Sequence, residues 1–380
     1  MEVLLSTDTI SPVTTDGNAF IGDNENSRDR ALTFHWRAKD ERWLKALDLP
    51  SPKSGKQEAA RASILLEAVL AHFGGWPAVS YSRRKEFYSG QRRYHGNPFT
   101  YDNVVPTVDN LSALGLLANS IAPTGVATGI QSTFRATPLL LTTAPADLAT
   151  DAEHVAHELI RLRDSEKRLV DYRDTERTDR MRRVLTEQNE GVGGIRIDLD
   201  APGIQAINGA IVIGDVALYP AMRTLYRVFN NGDQSHGWKF GGRMYGGWWQ
   251  QIPKALRPSL RIDGEPTAEI DHAQLHPRLL YLLTGKTLEG DAYTLPGWER
   301  KLCKVAFNVL LNAETYPAAV GAIANKIDAP DAQTQARKLV ADIKARHAPV
   351  AGFFHSGIGL RLQNIDADMA ETTTVARQSR

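Results

Sequence analysis

Apolar residues recur at helical spacing in several separate stretches of the chain. The clearest stretch is 57–73, which is followed by Gly74-Gly75, a pair that ends a helix. The same spacing predicts helices over 275–283, 298–312, 318–327, 332–346 and the tail from 360, one or two long charged helices over 151–189, and another helix over 219–231. The chain is therefore expected to contain many helices.

Short apolar runs between turn residues predict strands in three places. Residues 118–138 predict two short strands joined by a glycine-rich loop, and residues 191–218 predict strands and turns. Residues 257–266 predict a strand and a turn, and this strand is expected to pair antiparallel with residues 268–271. Together with the helices, these strands predict an α+β protein.

Residues 57–138 combine a helix, a basic segment, a second helix and a hairpin. The second helix closes on the pattern V-x-x-L-x-x-x-G-L (108–116), and the hairpin ends in R-x-T-P (135–138). This order resembles the winged helix of many transcription regulators and plasmid initiators. Pro106 restricts the second helix, which is expected either to begin near Asn103, with the proline in its first turn, or to kink there.

The basic segment YSRRKEFYSGQRRYHG interleaves cations with aromatic residues. Its cations are Arg83, Arg84, Lys85, Arg92 and Arg93. Binding of duplex DNA would place helix 103–114 in the major groove, the loop 125–129 beside the backbone and these cations on phosphates. A module that only packs against protein, and a charge run that is simply solvated, stay open as alternatives.

The outward face of helix 103–114 is expected to carry no Arg or Lys. Its predicted members are Asn103, Thr107, Asp109, Asn110 and Ser112. Because Arg and Lys make the commonest specific contacts to guanine, guanine readout by this helix is not expected.

Charge and cysteine content narrow the class of protein further. The net charge is +1, so binding of nucleic acid has to come from local clusters rather than from a global basic field. Cys303 is the single cysteine, which excludes an internal disulfide framework, suits a reducing cytosol and is expected to be buried on its helix. The chain shows no apolar run of about 18 residues and no signal-type amino terminus, which predicts a soluble cytoplasmic protein.

Residues 267–313 place a carboxylate close in sequence to a helix that carries cations. Asp271 ends a short predicted strand. The helix over 298–312 has four polar residues on one face, Arg300, Lys304, Asn308 and Asn312, and Leu302, Val305 and Val309 on the other. Phosphoryl transfer needs a carboxylate that holds a divalent metal and cations that neutralise nucleotide phosphates.

Four segments in this region resemble the family A DNA polymerases, the DNA polymerase I type. DHAQLHPRLLYLLTG is similar to motif A, D-Y-S-Q-I-E-L-R, with matches at Asp271, Gln274, Leu275 and Arg278. GDAYTL resembles G-x-D-I-H, and the pair Arg300 and Lys304 resembles the start of motif B. Upstream, GGRMYGGWWQQIP is similar to T-G-R-L-S-S…L-Q-N-I-P, with matches at Gly242, Arg243, Gln251, Ile252 and Pro253.

The resemblance implies roles for individual residues. Asp271 would bind Mg2+ or Mn2+, and Arg300 and Lys304 would contact the triphosphate. Contacts to the nucleotide would also come from Gln274, His276, Tyr293, Asn308 and Asn312, with Tyr293 in the place of a family histidine. Contacts to sugar or to the primer–template would come from Arg243, Gln274 and Gln251. The implied partners are DNA, as duplex or primer–template, nucleoside triphosphates and other replication proteins.

Three departures from the family pattern keep the function open. His276 replaces the glutamate that excludes ribose, Asn312-Ala313 replaces Tyr-Gly, and the H-D-E motif C does not occur after Leu288. Asp366 and Asp368 lie in a helical pattern rather than at a hairpin. The chain is therefore expected to be a polymerase-related replication protein of a phage or mobile element, a non-catalytic relative that binds nucleic acid, or a transcription regulator that uses the winged helix.

These patterns divide the 380 residues into four predicted parts. They are a polar arm (1–50), a winged-helix-like domain (51–145), a charged helical segment in the position of a polymerase thumb (146–200), and a family A-like palm and fingers region (201–380). The predicted fold is a multidomain α+β protein with a polymerase-like palm sheet and fingers helices.

Overall fold

The computed structural model of the chain describes residues 3–5, 29–123, 130–214, 216–233 and 237–378. Helices and strands both occur throughout, so the α+β class is confirmed. The helices are α1 (Arg42–Ala46), α2 (Gly55–Phe73), α3 (Lys85–Gly90), α4 (Arg92–His95), α5 (Tyr101–Ala113), α6 (Pro138–Thr143), α7 (Leu148–Asp151), α8 (Glu176–Gly194), α9 (Leu275–Leu283), α10 (Arg300–Asn312), α11 (Tyr316–Ala324), α12 (Ala332–Arg346) and α13 (Ile358–Gln378). Short 3-10 helices lie at Trp248–Gln251, Lys254–Ser259 and Ala348–Phe353.

The strands form several small sheets. They are β1 (Val3–Leu5), β2 (Arg30–Ala31), β3 (Trp36–Ala38), β4 (Val79–Tyr81), β5 (Leu117–Ser120), β6 (Ser132–Ala136), β7 (Ala152–His154), β8 (Ile160–Leu162), β9 (Ile197–Leu199), β10 (Gln205–Ile207), β11 (Ala210–Ile213), β12 (Val216–Leu218), β13 (Tyr226–Phe229), β14 (Gly241–Tyr245), β15 (Leu260–Ile262), β16 (Glu265–Pro266) and β17 (Ala268–Ile270). One sheet has the order β2-β4-β6-β5, three others have the orders β10-β11-β12, β14-β13-β8 and β16-β15-β9, and β1 pairs with β17 and β3 with β7.

The chain folds into two compact units. Unit 1 comprises Met1–Val228 and Met244–Glu269, and unit 2 comprises Phe229–Arg243 and Ile270–Arg380. None of the helices in the described residues is long and apolar enough to cross a membrane.

Helix α2 lies at the centre of the core of unit 1. Its predicted extent is confirmed, and the Ser54 hydroxyl caps it by accepting a hydrogen bond from the Gln57 amide at 3.3 Å. Ile64, Leu65 and Val69 are at most 1% exposed, and burial of each stabilises the unit by about 2 kcal/mol. Around α2 pack β3, β4, α5 and β6.

The segment from α2 to β6 follows the order helix, strand, two short helices, helix, hairpin. Strands β4 and β5 both pair antiparallel with β6, so β6 lies between them. Helix α5 begins at Tyr101, earlier than predicted, so Pro106 lies inside the helix and not in its first turn. Proline offers no amide hydrogen to the preceding turn, and the Thr107 hydroxyl donates to the carbonyl of Asn103 at 2.5 Å. The predicted loop 125–129 falls outside the described residues.

The prediction of a polar arm over residues 1–50 is wrong from Arg30 onward. Leu32, Phe34 and Trp36 are 5%, 1% and 0% exposed and belong to the core of unit 1. Their alternation with polar neighbours has the period of a strand, and β3 pairs antiparallel with β7. The arm residues 6–28 fall outside the described residues.

Long helices do not fill residues 151–189 as predicted. Strands β7 and β8 come first, and α8 begins only at Glu176. There Thr175 and Thr178 form a capping box, in which each side chain accepts a hydrogen bond from the other residue's amide. Three charged residues of this stretch, Glu158, Arg161 and Asp164, are buried, at 8%, 4% and 5% exposure.

Two further predictions of secondary structure are wrong. Residues 219–231 contain strand β13, whose residues are all buried, instead of a helix. Strand β15 pairs with β16 and β9, not with residues 268–271, because Asp263 and Gly264 both take positive φ and form a tight turn. At β13 tertiary pairing overrode local helix propensity, whereas at β15 the local turn set the pairing with β16.

Unit 2 is helical from Leu275 onward. The predicted helices α9, α10, α11, α12 and α13 are confirmed, with ends within a few residues of those expected. They enclose a core of which Phe307, Leu310 and Leu339 are members. Asp271 follows the two-stranded pairing of β17 with β1, whereas the palm-sheet prediction placed it at the edge of a larger antiparallel sheet.

Candidate functional site

Asp291 is the centre of a polar cluster in unit 2. Its Oδ2 atom accepts hydrogen bonds from Arg300 Nη2 at 2.7 Å and Nε at 3.1 Å, and from Gln274 Nε2 at 3.3 Å. Its Oδ1 atom accepts from the Tyr293 amide at 2.7 Å, and Gln274 Oε1 accepts from the Ala292 amide at 2.6 Å. Partial burial acts to raise the pKa of Asp291, but the hydrogen bonds from Arg300 and Tyr293 outweigh it, so the pKa lies below its usual value.

Gln274, predicted from motif A, and Arg300, predicted from motif B, therefore meet at the Asp291 carboxylate. Tyr293, predicted from GDAYTL, joins them through its backbone amide. Sequence analysis did not assign Asp291 to the site. Gln274 reaches it because its backbone is left-handed, with φ 58° at the start of α9. Arg300 stands at the first position of α10. The GDAYTL segment contains Asp291 and could have indicated it as a site residue, but nothing in the sequence indicated its contacts with Gln274 and Arg300.

The charge of Asp271, like those of Asp291 and Arg300, acts on the pKa of Tyr293. The Tyr293 side chain is buried, and the guanidinium carbon of Arg300 lies 5.4 Å from its ring centre. Burial raises the pKa of Tyr293 to about 12; Arg300 opposes this rise, whereas the carboxylates of Asp291 and Asp271 add to it. Asp271 itself is exposed, immediately after β17.

The predicted polar face of α10 is exposed to different degrees. Arg300 and Asn312 are exposed, whereas Lys304 and Asn308 are half-buried. Asn312 donates from Nδ2 to the Asn308 carbonyl at 2.8 Å. The buried face comprises Cys303, Ala306, Phe307, Leu310 and Leu311, so Leu302, Val305 and Val309, predicted as the apolar face, are only half-buried. Cys303 is buried, as expected.

Arg243 and His276 form a second cluster in unit 2 with Asp366 of α13. Arg243 Nη2 lies 3.1 Å from Asp366 Oδ2 and 3.5 Å from His276 Nε2. Burial and the adjacent Arg243 lower the pKa of His276 to about 4, against the opposing charge of Asp366, so the imidazole is neutral at pH 7. Gln251, predicted to act with Arg243, lies in unit 1, half-buried in the 3-10 helix Trp248–Gln251.

The described residues do not contain a ligand set for the implied metal. They hold no group of three or more His, Cys, Asp or Glu side chains placed to bind an ion. Mg2+ requires near-octahedral oxygen coordination, and Asp271 supplies one exposed carboxylate, while Asp291 is engaged by Arg300 and Gln274. The residues present therefore do not fit a two-metal site.

The five cations of the basic segment in unit 1 fall into two groups, those held in ion pairs and those exposed to solvent. Arg83 forms a bidentate ion pair with Asp109 of α5, with distances of 2.6 and 2.8 Å. Arg93 forms ion pairs with Asp171 at 2.6 Å, Asp174 at 3.1 Å and Glu158 at 3.4 Å. The remaining three cations, Arg84, Lys85 and Arg92, are exposed.

The outward face of α5 differs from the predicted one. Thr107 is buried, and Asn103 is half-buried and donates to the Pro98 carbonyl at 2.9 Å. Asp109 and Ser112 are half-buried, and Asn110 is exposed as expected. The exposed stripe consists of Asp102, Pro106, Asn110 and Ala113, and like the predicted face it contains no Arg or Lys.

Comparison of the chain with protein-family models, with curated proteins and with solved structures gave no match.

Proposed function

We propose that residues 55–136 form a winged-helix module that binds duplex DNA, in replication or in transcription control. The observation that carries this proposal is the order α2, β4, α3–α4, α5, β5, β6, with β6 paired to β4 and β5. In a winged helix, the helix before the hairpin lies in the major groove and the hairpin lies beside it. Helix α5 and the β5–β6 hairpin occupy those positions in the order.

Exposed cations provide the phosphate contacts of the module. Arg84 and Lys85 stand at the start of α3, Arg92 at the start of α4, and Arg135 on β6, and all four are exposed. Phosphate contacts supply most of the affinity of such proteins and make it dependent on salt. The binding is therefore expected to weaken steeply as salt rises.

The stripe on α5 favours readout of adenine over guanine. Asn110 is its exposed amide, and asparagine pairs with adenine N6 and N7. Asp102 accepts hydrogen bonds only, as cytosine N4 requires. These contacts concern base preference, whereas the cations set the overall affinity.

Binding of the full chain to a fluorescent random-sequence duplex tests the proposal. The double variant Arg84→Gln/Lys85→Gln is expected to bind roughly tenfold more weakly and to reduce the slope of log K against log salt by about 1.8, because two phosphate contacts are lost. The control Lys326→Gln/Arg337→Gln removes the same charge from exposed positions of unit 2. Equal losses in both double variants, or no binding by the parent chain, would reject the module.

A second candidate function is binding of nucleoside triphosphates in unit 2, for nucleotidyl transfer of the polymerase type. The observation that favours it is the convergence of Gln274, Tyr293 and Arg300 at Asp291, with exposed Asp271 near enough to shift the pKa of Tyr293. Arg300, which is 55% exposed, and Lys304 would neutralise the phosphates. The polymerase resemblance implies Mg2+ or Mn2+ for the transfer step, for which the described residues offer no complete ligand set.

Two measurements separate binding from chemistry at this site. A fluorescent nucleoside triphosphate is expected to bind roughly tenfold more weakly to Arg300→Gln than to the parent chain, since a charge-assisted contact is lost. Lys301→Gln, an exposed cation next in sequence, is the control. Primer extension with Mg2+ or Mn2+ is then compared between the parent chain and Asp271→Ala, and equal incorporation by the two would exclude catalysis at Asp271.

A further inference from the structure

Four polar side chains close a ring of hydrogen bonds between α5, β4 and β5. Arg83 Nη1 donates to Asp109 Oδ1 at 2.6 Å and to the Tyr81 hydroxyl at 2.8 Å, and Arg83 Nη2 donates to Asp109 Oδ2 at 2.8 Å. The Tyr81 hydroxyl donates to Asn119 Oδ1 at 2.9 Å, and Asn119 Nδ2 donates to Asp109 Oδ1 at 3.2 Å. The ring joins the ends of three elements of the proposed DNA-binding module.

The ring places a cation at the edge of the surface that α5 presents. Asp109 adjoins Asn110 of the exposed stripe, and Arg83 immediately precedes Arg84 and Lys85. The side chains of Arg83 and Asp109 are 25% and 43% exposed, so the pair is accessible from solvent without rearrangement of the core. The bidentate geometry that Asp109 offers to a guanidinium is also the geometry that a phosphate offers.

Resting on the proposed DNA-binding function, we propose that Asp109 neutralises Arg83 in the unbound protein and that a DNA phosphate replaces Asp109 as the partner of Arg83 in the complex. Asp109 thereby reduces binding to DNA of arbitrary sequence, because an exchange of partners gains less than a new contact with an unpaired cation. It is a residue that sets specificity through charge and makes no base contact itself. The Asn119 amide holds the Asp109 carboxylate toward Arg83, and the Tyr81 hydroxyl accepts from Arg83 and donates to Asn119.

Salt titrations of binding to a fluorescent random-sequence duplex test this exchange in the full chain. Asp109→Asn keeps the shape of the side chain and removes its charge. This variant is expected to bind roughly three- to tenfold more tightly at about 50 mM salt. The slope of log K against log salt is expected to steepen by about 0.9, because the Asp109 charge no longer offsets the charge that Arg83 brings to the phosphate. In Arg83→Gln/Asp109→Asn the slope is expected to return to that of the parent chain.

A matched control separates this exchange from a general effect of charge. Glu86→Gln removes a carboxylate from the exposed first turn of α3 in the same module, where the structure shows no ion pair with Arg83. A gain in Glu86→Gln as large as in Asp109→Asn, or a gain in Asp109→Asn that survives Arg83→Gln, would overturn the proposal. A loss of affinity in folded Asp109→Asn would also overturn it and would show that the ring serves only to hold α5 in place.

Arg83→Lys keeps the proposal testable if Asp109→Asn does not fold. Lysine retains the charge but cannot form the bidentate pair together with the contact to Tyr81, so its ammonium is released more readily. Tighter binding supports the exchange, and unchanged or weaker binding contradicts it. Absence of duplex binding by the parent chain would instead reject the DNA-binding function itself, so the two failures are distinguishable.

Discussion

The guanidinium carbon of Arg93 lies 4.2 Å from the ring centre of Tyr172. Arg93 Nη2 also donates to the Tyr172 carbonyl at 2.7 Å, and its other nitrogens form the ion pairs with Asp171, Asp174 and Glu158. The side chain is 20% exposed. Arg93, predicted to contact DNA, is thus committed to contacts within unit 1 that join α4 to the segment before α8.

Glu158→Gln is expected to destabilise unit 1 by about 3 kcal/mol. The Glu158 carboxylate is 8% exposed and accepts hydrogen bonds from Arg182 at 3.0 and 3.1 Å, from Arg93 at 3.4 Å and from the Ile160 amide at 2.9 Å. The substitution removes the buried counter-charge of two partly buried guanidinium groups, which then share only the more exposed Asp174. The midpoint of urea unfolding measures the loss. Glu166→Gln, whose side chain is 67% exposed in its pair with Arg168, is the control and should change the midpoint little; comparable shifts would contradict the prediction.

Gly246→Ala is expected to destabilise unit 1 by about 2 kcal/mol more than Gly264→Ala. Both glycines have positive φ, 114° and 86°, so alanine is strained at either position. At Gly246 an added Cβ would also overlap the Thr224 carbonyl and the Tyr226 ring, whereas at Gly264 no atom lies within 4 Å. Thermal unfolding of the two variants measures the difference, and equal shifts in Tm would show that strain alone sets the cost.

Buried histidines are expected to make unit 1 sensitive to acid. His154 is 5% exposed, and its ring centre lies 5.1 Å from that of Trp36 and 5.3 Å from that of His35. Burial, together with smaller effects of the charges of Arg161, Arg30 and His157, lowers the pKa of His154 to about 3. The pKa of His95 is lowered to about 3 in the same way, chiefly by burial.

Because these folded-state pKa values lie below the ordinary value of about 6.5, the unfolded chain takes up protons first as pH falls. The stabilisation is therefore complete above about pH 6.5 and is lost toward pH 3, by up to about 1.4 kcal/mol per pH unit for each histidine. The free energy of unfolding of His154→Phe should depend less steeply on pH than that of the parent chain, by about one proton. The urea midpoint at each pH measures this dependence. Exposed His272→Asn is the control, and an unchanged slope in His154→Phe would refute the assignment.

Asp291→Asn is expected to tighten triphosphate binding in unit 2 if the second candidate function holds. Loss of the carboxylate charge weakens the hold on Arg300, whereas the asparagine oxygen can still accept from the Tyr293 amide. Titration with a fluorescent nucleoside triphosphate should show roughly threefold tighter binding with stronger salt dependence. Asp291→Ala removes the acceptor for Gln274 as well, and a gain in Asp291→Ala equal to that in Asp291→Asn would show that Gln274 plays no part.

The sequence by itself determined the long helices and the class of fold. In α2, α10 and α12 the spacing of apolar residues predicted the helix, because one face of each helix is buried regardless of which element packs against it.

Only the tertiary structure decided which polar residues act together. Arg83 and Arg84 are neighbours in sequence, yet one is paired with Asp109 and the other is exposed. Asp291 gathers residues from α9 and α10, and β7 and β8 replace the expected helix because Glu158 and Arg161 are buried among distant partners. Ion pairs and strand pairings join residues far apart in the chain, so no local pattern specifies them.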